Sequence, residues 1–593
     1  WKVYVKDGVM LREEQASDYP RISADLPDYN PRGCQKGACF VEYVYGAQRL
    51  RFPLIRVGKR GEGKWRRASW DEALDLVAGK LLDNVYRYGP DTNSFFSVIP
   101  AMSPVSFCGG SRVAHYLGGV FLSFYDWYCD LPPGEPLTWG VQTEACECAD
   151  WFNAKMIVMW GSNITQTRIP DAHFAFEARY NGAKIVGISP DFNSSCTHAD
   201  LYLAIAPGTD ADLALGVARI LVEEKLYDAP YVREQTDMPL LVVEKTRRYL
   251  RESDMEENGG DEVFYFFDEK EGKVKKAPGS MGSPTRSIDL SGAAPALTGR
   301  YFVTGRKGEK IAVVPVFERM RKLLARYTLK EVARRTGLSP RDIAAFAHDL
   351  GTRRPAMIIH GAGTNHWFHN DLINRAMMLL VALTGDVGKN GGGFNHYVGQ
   401  ERIWPEEGFR KLAFPEGGKK QRFQNTTLWT YVHSSNKDEH KYNGKPIEEY
   451  IEESIAKGWM PLYPKNRKQK PRALIVWRAN YLNQAKGNEK IIPSLWNDLD
   501  LIVNVNFRMD TTALYSDVVL PASSYYEKTD LNTTDCHSFV HPFNKVLDPL
   551  FESRTDWDIF SALAKKIEEV ALRRKLPPYK DDELGWPRDF STF

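Results

Sequence analysis

The stretch Met156-Ile157-Val158-Met159-Trp160-Gly161-Ser162-Asn163 decides the fold class. Five apolar residues without polar alternation describe a strand covered on both faces. Gly161-Ser162-Asn163 then reads as a loop. The same order recurs at Ile185-Val186-Gly187-Ile188 before Ser189-Pro190-Asp191-Phe192-Asn193, and at Met357-Ile358-Ile359 before His360-Gly361-Ala362-Gly363. It appears again at Leu474-Ile475-Val476-Trp477 before Arg478-Ala479-Asn480, and at Leu501-Ile502-Val503-Asn504-Val505 before Asn506-Phe507-Arg508. Helical stretches separate these strands, for example 210–224 and 370–383. Strand, loop and helix repeated in this way predict an α/β fold with parallel or mixed sheets. In open sheets of that kind a ligand lies beyond the carboxyl ends of the strands. One polar loop there is an ordinary connection; five together predict the floor of a crevice for a large ligand.

Two regions depart from the pattern. Residues 252–310 are rich in Gly, Asp, Glu, Lys and Pro and read as an exposed insertion with a small hairpin. Residues 401–470 carry many aromatics, Lys and Pro, and irregular segments of that length form lids or partner surfaces. No repeat at a solenoid period is present.

The chain of 593 residues is long enough for several domains and large cores. Its net charge of +2 argues against nucleic acid as a partner. Its apolar stretches are too short to cross a bilayer, so membrane association would run through a partner. The eight cysteines are Cys34, Cys39, Cys108, Cys129, Cys146, Cys148, Cys196 and Cys536. No Cys-x-x-Cys pair is among them, which removes zinc-ribbon and thioredoxin readings.

The run Phe124-Tyr125-Asp126-Trp127-Tyr128-Cys129-Asp130-Leu131-Pro132-Pro133-Gly134-Glu135-Pro136-Leu137-Thr138-Trp139-Gly140 sets a thiol and a carboxylate side by side among aromatics. A helix cannot continue through Leu131-Pro132-Pro133, so Asp130 stands at a forced change of direction. A carboxylate held there can cap a turn, hydrogen-bond a buried partner or ligate a metal. The nucleotide fingerprints are absent. Gly361-Ala362-Gly363-Thr364-Asn365-His366 has histidine where a dinucleotide fold needs its third glycine, and Gly385-Asp386-Val387-Gly388-Lys389-Asn390 has the wrong spacing for a Walker A loop. A nicotinamide dehydrogenase is therefore disfavoured. A nucleotide held by several polar loops fits better.

The 124–140 run resembles the molybdenum-ligand segment of respiratory nitrate reductase alpha subunits, in the dimethyl sulfoxide reductase family of molybdenum bis-(molybdopterin guanine dinucleotide) enzymes. The resemblance is broad and in family order. It includes Trp160-Gly161-Ser162-Asn163, Pro207-Gly208-Thr209-Asp210, Gly363-Thr364-Asn365-His366-Trp367, His396-Tyr397-Val398-Gly399-Gln400-Glu401, Trp477-Arg478-Ala479-Asn480, and Leu514-Tyr515-Ser516-Asp517-Val518-Val519-Leu520-Pro521 followed by Tyr526-Glu527-Lys528. It implies a multi-domain fold with Rossmann-like sheets, read as residues 1–67, then 68–130 with 386–593, then 131–385. It also implies a fragment that lacks the first cluster ligands and most of a final domain.

On that resemblance Asp130 is the molybdenum ligand, a hard carboxylate beside the soft dithiolenes; Cys129, one residue earlier, is its rival. Tyr125 and Trp127, with Tyr128 and Trp139, would line a substrate funnel and keep it dry. Asp191 or Asp210 would accept from guanine. Gly161, Ser162, Gly208, Gly361 and Gly363 would let pyrophosphate approach backbone N–H groups. Trp160, Asn163, Asn365, His366, Gln400, Arg478, Asn480 and Asp517 complete the expected cofactor set. Pro31-Arg32-Gly33-Cys34 resembles the segment that supplies the fourth ligand of a [4Fe–4S] cluster, with Lys36 between cluster and pterin.

The activity implied is reduction of nitrate to nitrite by oxygen-atom transfer, with electrons arriving through the cluster. An iron–sulfur beta subunit and a haem or membrane-anchor subunit are the implied partners. The complex would face the outside of the cell, the cytoplasmic side being the alternative. Perchlorate, chlorate and selenate reductases share the subfamily and remain open for the substrate. A molybdenum-free electron-transfer scaffold is the rival of another class.

Overall fold

The computed structural model describes residues 1–18, 21, 23–29, 33–98, 102–123, 131–140, 145–278, 292–396, 413, 421–436, 441–442, 444–532, 537 and 539–593. All five apolar runs form strands, at Met156–Trp160, Lys184–Ile188, Ala356–His360, Ala473–Trp477 and Leu501–Asn506. The two expected helices are Asp210–Glu223 and Asn370–Thr384.

The strands fall into two units. One consists of residues 20–32 and 131–397, the other of 1–19, 33–130 and 398–593. The unit at 131–397 holds a five-stranded sheet in the order Gly393–His396, Ala356–His360, Met156–Trp160, Lys184–Ile188, Leu201–Leu203. Every pairing in it is parallel, and Trp160 stands opposite both His360 and Ile188. All carboxyl ends therefore share one edge. The central strands Met156–Trp160 and Ala356–His360 are buried on both faces, as their apolar runs demand. Helices Asp210–Glu223, Pro340–Thr352 and Asn370–Thr384 pack on the sheet through Leu213, Val217, Leu221, Phe346, Leu350, Met377 and Val381.

The expected insertion supplies a hairpin, Tyr265–Asp268 with Lys273–Lys276. It also reaches a three-stranded antiparallel sheet of Leu241–Val243, Lys310–Pro315 and Tyr301–Thr304.

The other unit is built on eight strands. Arg422–Gln424, Val120–Leu122, Asn93–Ser97, Ala473–Trp477, Leu501–Asn506 and Val518–Pro521 run parallel, and Leu54–Arg56 and Trp65–Arg67 close the sheet antiparallel. Helices Trp70–Tyr88, Pro104–Leu117 and Asp556–Arg574 cover one face, and Trp429, Tyr481 and Trp496 fill the other. The helix starts are specified locally. Ser69 accepts from Glu72 N, and Thr555 from Asp558 N, each tying down one orphan donor of a first turn. Among the described residues no helix is long and apolar enough to cross a membrane.

Candidate functional site

In the 131–397 unit the loops after the strands form the candidate site, and glycine is what lets them meet. Gly361 N donates to Trp160 O (3.0 Å) and Gly161 N to Ile188 O (2.8 Å), so each loop is pinned to the neighbouring strand. A methyl group on Gly361 would lie 2.2 Å from Gly161 O, and one on Gly161 would lie 2.8 Å from Thr364 Cγ2. Gly161 and Gly208 also take positive φ, +58° and +78°, which glycine adopts without steric cost. Gly363 is exposed beside them.

The expected polar residues divide into two groups. Asp191 and His366 are exposed at this edge, and Asp191 Oδ1 accepts from Ser189 Oγ at 3.0 Å. Ser162 is buried and Asn163 half-buried; Asn163 Oδ1 accepts from Ser195 Oγ (2.8 Å) and Ser194 Oγ (3.0 Å), which ties two loops together. Trp160 and Asn365 are fully buried. The Trp160 indole is committed to Asp210 (2.8 Å), and Asn365 accepts from Asn374 Nδ2 (2.8 Å). Burial pushes the Asp210 carboxyl above the usual aspartate range, against the indole hydrogen bond that lowers it. The exposed group can touch a ligand; the buried group shapes the loops that do.

The other unit has its own ligand edge. A cavity of about 330 Å³ opens beyond strands Asn93–Ser97, Ala473–Trp477, Leu501–Asn506 and Val518–Pro521. Arg478, Asn480, Asn506, Ser523, Asp510 and Lys528 line it. Arg478 takes φ +60° and donates through Nη1 to Val98 O (3.0 Å). Asn480 Oδ1 accepts from Thr512 N and Oγ1 (3.1 and 2.9 Å). Burial raises Asp510 to about 6. Lys528 is a buried cation paired with Asp556 (3.0 Å). Ser523 Oγ is buried without a hydrogen-bond partner among the described residues. A cavity holding a guanidinium, a buried ammonium, an amide and an unsatisfied hydroxyl can receive a polar, phosphate-bearing group.

Asp517 is not brought to that edge. It precedes Val518–Pro521, at the amino end, and accepts from Arg56 Nη2 (2.7 Å), Arg60 Nη2 (2.5 Å) and Ile502 N (2.8 Å). The carboxylate fastens the sheet there and has no access to the cavity's side of it. Cys34 is half-buried at the start of helix Gln35–Ala38 and Lys36 is exposed. Among the described residues no group of three His, Cys, Asp or Glu side chains gathers as a metal site. Asp130, Tyr125, Trp127 and Gln400 lie outside the described residues. Sequence reading gave no role to Glu135, His360, Asn374 or Lys528, all buried beside these two edges. A glutamate between Gly134 and Pro136, a histidine opening a strand-end loop and a lysine in the Tyr526-Glu527-Lys528 motif were the available signals.

The sequence profile of the family described as Molybdopterin oxidoreductase matches residues 49–566. The chain is 47% identical over its whole length to the perchlorate reductase subunit alpha of Dechloromonas aromatica, covering 66% of that protein. It is 49% identical over its whole length to the respiratory nitrate reductase subunit alpha of Haloferax mediterranei, covering 61% of it. It thus spans roughly two thirds of the length of these relatives. Among solved structures, acetylene hydratase from Pelobacter acetylenicus is similar in fold, with a TM-score of 0.62 and 20% identity over the whole chain and 70% of that structure. The strand-end glycine loops, the two ligand edges and the profile match agree: the chain belongs to the molybdopterin oxidoreductase family.

Proposed function

We propose that this chain is the catalytic part of a respiratory nitrate reductase, reducing nitrate to nitrite by oxygen-atom transfer. The observation that carries the reading is the 49% identity, over the whole chain, to a respiratory nitrate reductase alpha subunit. The 47% identity to a perchlorate reductase alpha subunit favours perchlorate as the second reading. Both substrates are small oxyanions, and the same donor set serves either.

The cofactor would be molybdenum held by two pterin guanine dinucleotides, and when bound it supplies the two-electron chemistry. The residues here bind and orient it. Gly161, Ser162, Gly208, Gly361 and Gly363 allow a pyrophosphate close to backbone N–H groups. Asp191 accepts from guanine, with Asp210 its buried alternative. Asn163, His366 and Gln400 meet the polar rim of the ligand, on loops shaped by Trp160 and Asn365. In the other unit Arg478 and Asn480 serve the second dinucleotide, while Asp517 keeps its structural place. Asp130 supplies the protein's ligand to molybdenum, and Tyr125 and Trp127 keep the approach dry and orient the anion. Cys34 is one ligand of a [4Fe–4S] cluster, and Lys36 places a cation between cluster and pterin. Electrons come from an iron–sulfur subunit, itself served by a haem or membrane-anchor subunit, in a membrane-associated complex on the outer face.

The test uses the native full-length complex, purified without oxygen. Oxidation of reduced viologen is followed with nitrate, perchlorate, chlorate and selenate, normalised to molybdenum content. The highest kcat/KM with nitrate supports the reading. A higher value with perchlorate transfers the function to the second reading. Absence of molybdenum from the active complex overturns both.

A further inference from the structure

A closed circuit of buried side chains lies under the Gly361–His366 loop. Gly134 N donates to Asn374 Oδ1 (3.3 Å). Asn374 Nδ2 donates to Asn365 Oδ1 (2.8 Å), and Asn365 Nδ2 donates to His396 Nε2 (3.2 Å). The His396 ring packs against His360, with centroids 4.6 Å apart. His360 Nε2 faces Glu135 Oε1 at 3.6 Å, and Glu135 adjoins Gly134 in sequence. Phe394 also stacks on His360 (4.2 Å, 16°). Glu135, His360, Asn365 and Asn374 are 0% exposed and His396 3%.

Simple packing does not call for such a circuit. Burying a carboxyl and two imidazoles is unfavourable, and apolar residues of the same volume would fill the space at least as well. What the polar contacts of this circuit add over apolar filling is a single geometry. The circuit ties together four elements: helix Gly134–Trp139, the loop after Ala356–His360, helix Asn370–Thr384 and the end of Gly393–His396. Helix Gly134–Trp139 begins four positions after Asp130.

We propose that Glu135 and His360 are positioning residues that lock the segment following Asp130 to the cofactor-facing Gly361–His366 loop. The inference rests on the reading of Asp130 as the molybdenum ligand. Complete burial drives His360 down to about 3, so its ring is neutral at physiological pH. The contact with Glu135 therefore holds shape without placing an imidazolium beside the cofactor.

The test is made in the native full-length complex with Glu135→Leu, Glu135→Gln, Asn374→Leu and Asp130→Ala. Molybdenum content, the Mo(V) electron paramagnetic resonance signal, kcat and KM are read for each. Glu135→Leu is expected to keep molybdenum, alter the Mo(V) signal, and lower kcat roughly 10- to 100-fold at unchanged KM, the scale of a misplacement of about 1 Å. Glu135→Gln, which keeps the shape and a polar end, restores the wild-type signal. Should Glu135→Leu fail to accumulate, Asn374→Leu opens the same circuit at Gly134 and gives the same signature. A wild-type Mo(V) signal and kcat in the leucine variants, with only the melting temperature lowered, overturns the inference. A wild-type signal in Asp130→Ala overturns the ligand reading instead, whatever the leucine variants do.

Discussion

Trp160 Nε1 donates a 2.8 Å hydrogen bond to Asp210 Oδ1, joining the end of one strand to the first residue of helix Asp210–Glu223. Both side chains are buried. The bond fastens the start of that helix, two residues after Gly208, to the end of the strand.

Replacing Asp210 by alanine strands a buried indole N–H. That should cost about 1–3 kcal/mol, whereas Asp210→Asn, which still offers an acceptor, should stay close to wild type. Denaturant unfolding of the two variants, followed by tryptophan fluorescence, measures the difference. Equal losses would show that the indole bond contributes little.

Gly361 admits no side chain. Its added methyl would sit 2.2 Å from Gly161 O and 2.9 Å from Ser162 Cα, which are backbone atoms that can yield only by moving both loops. Gly361→Ala should destabilise by about 1–3 kcal/mol and reduce the molybdenum content of the full-length protein. Gly272→Ala, where nothing lies within 4 Å of the added methyl, is a control for crowding; its positive φ (+67°) adds only a local backbone cost.

Asp386 gives a pH dependence of defined sign. Burial raises its carboxyl to about 6, although Thr384 Oγ1 donates to it at 2.6 Å. A carboxyl whose folded pKa lies above its unfolded value adds stability below the unfolded pKa, near 4, and that stability is lost as pH rises through about 6. The amplitude is roughly 3 kcal/mol. Asp386→Asn should remove this fall, so the melting temperatures of mutant and wild type, compared from pH 4 to pH 8, should diverge in the mutant's favour as pH increases. Parallel curves would contradict the assignment.

Glu527 is the acceptor centre of a buried ion pair. It takes Arg49 Nη2 (2.9 Å), Ser524 N (2.6 Å) and Leu550 N (2.7 Å), and the Arg49 guanidinium lies over the Phe507 ring. Glu527→Ala leaves a buried guanidinium without its counter-charge and should cost about 3–5 kcal/mol. The double variant Arg49→Met/Glu527→Met should recover much of that loss in the same unfolding assay.

The strands were legible because they are buried on both faces and so are almost wholly apolar, Asn504 being the one polar residue inside the five runs; all five formed within a residue or two of their expected ends. The ligand edges followed from them, since parallel strands put their carboxyl ends together. Asp517 was not legible. Its neighbour Val518 begins a strand, so the aspartate belongs to the amino end, and only three-dimensional pairing brings Arg56 and Arg60 from more than 450 positions away. Glu135 escaped for the same reason: nothing local reveals that His360 comes to face it.

The order of strands in the eight-stranded sheet has a consequence for how the protein is made. Asn93–Ser97 pairs directly with Ala473–Trp477, and Val518–Pro521 with Leu54–Arg56. The early strands emerge from the ribosome hundreds of residues before their partners. The 131–397 unit, whose strands and helices are almost all contiguous in sequence, can fold meanwhile. Synthesis thus imposes a sequence of events: the inserted unit matures first, and the early strands wait, exposed to mispairing and to chaperones, until the last third of this chain arrives.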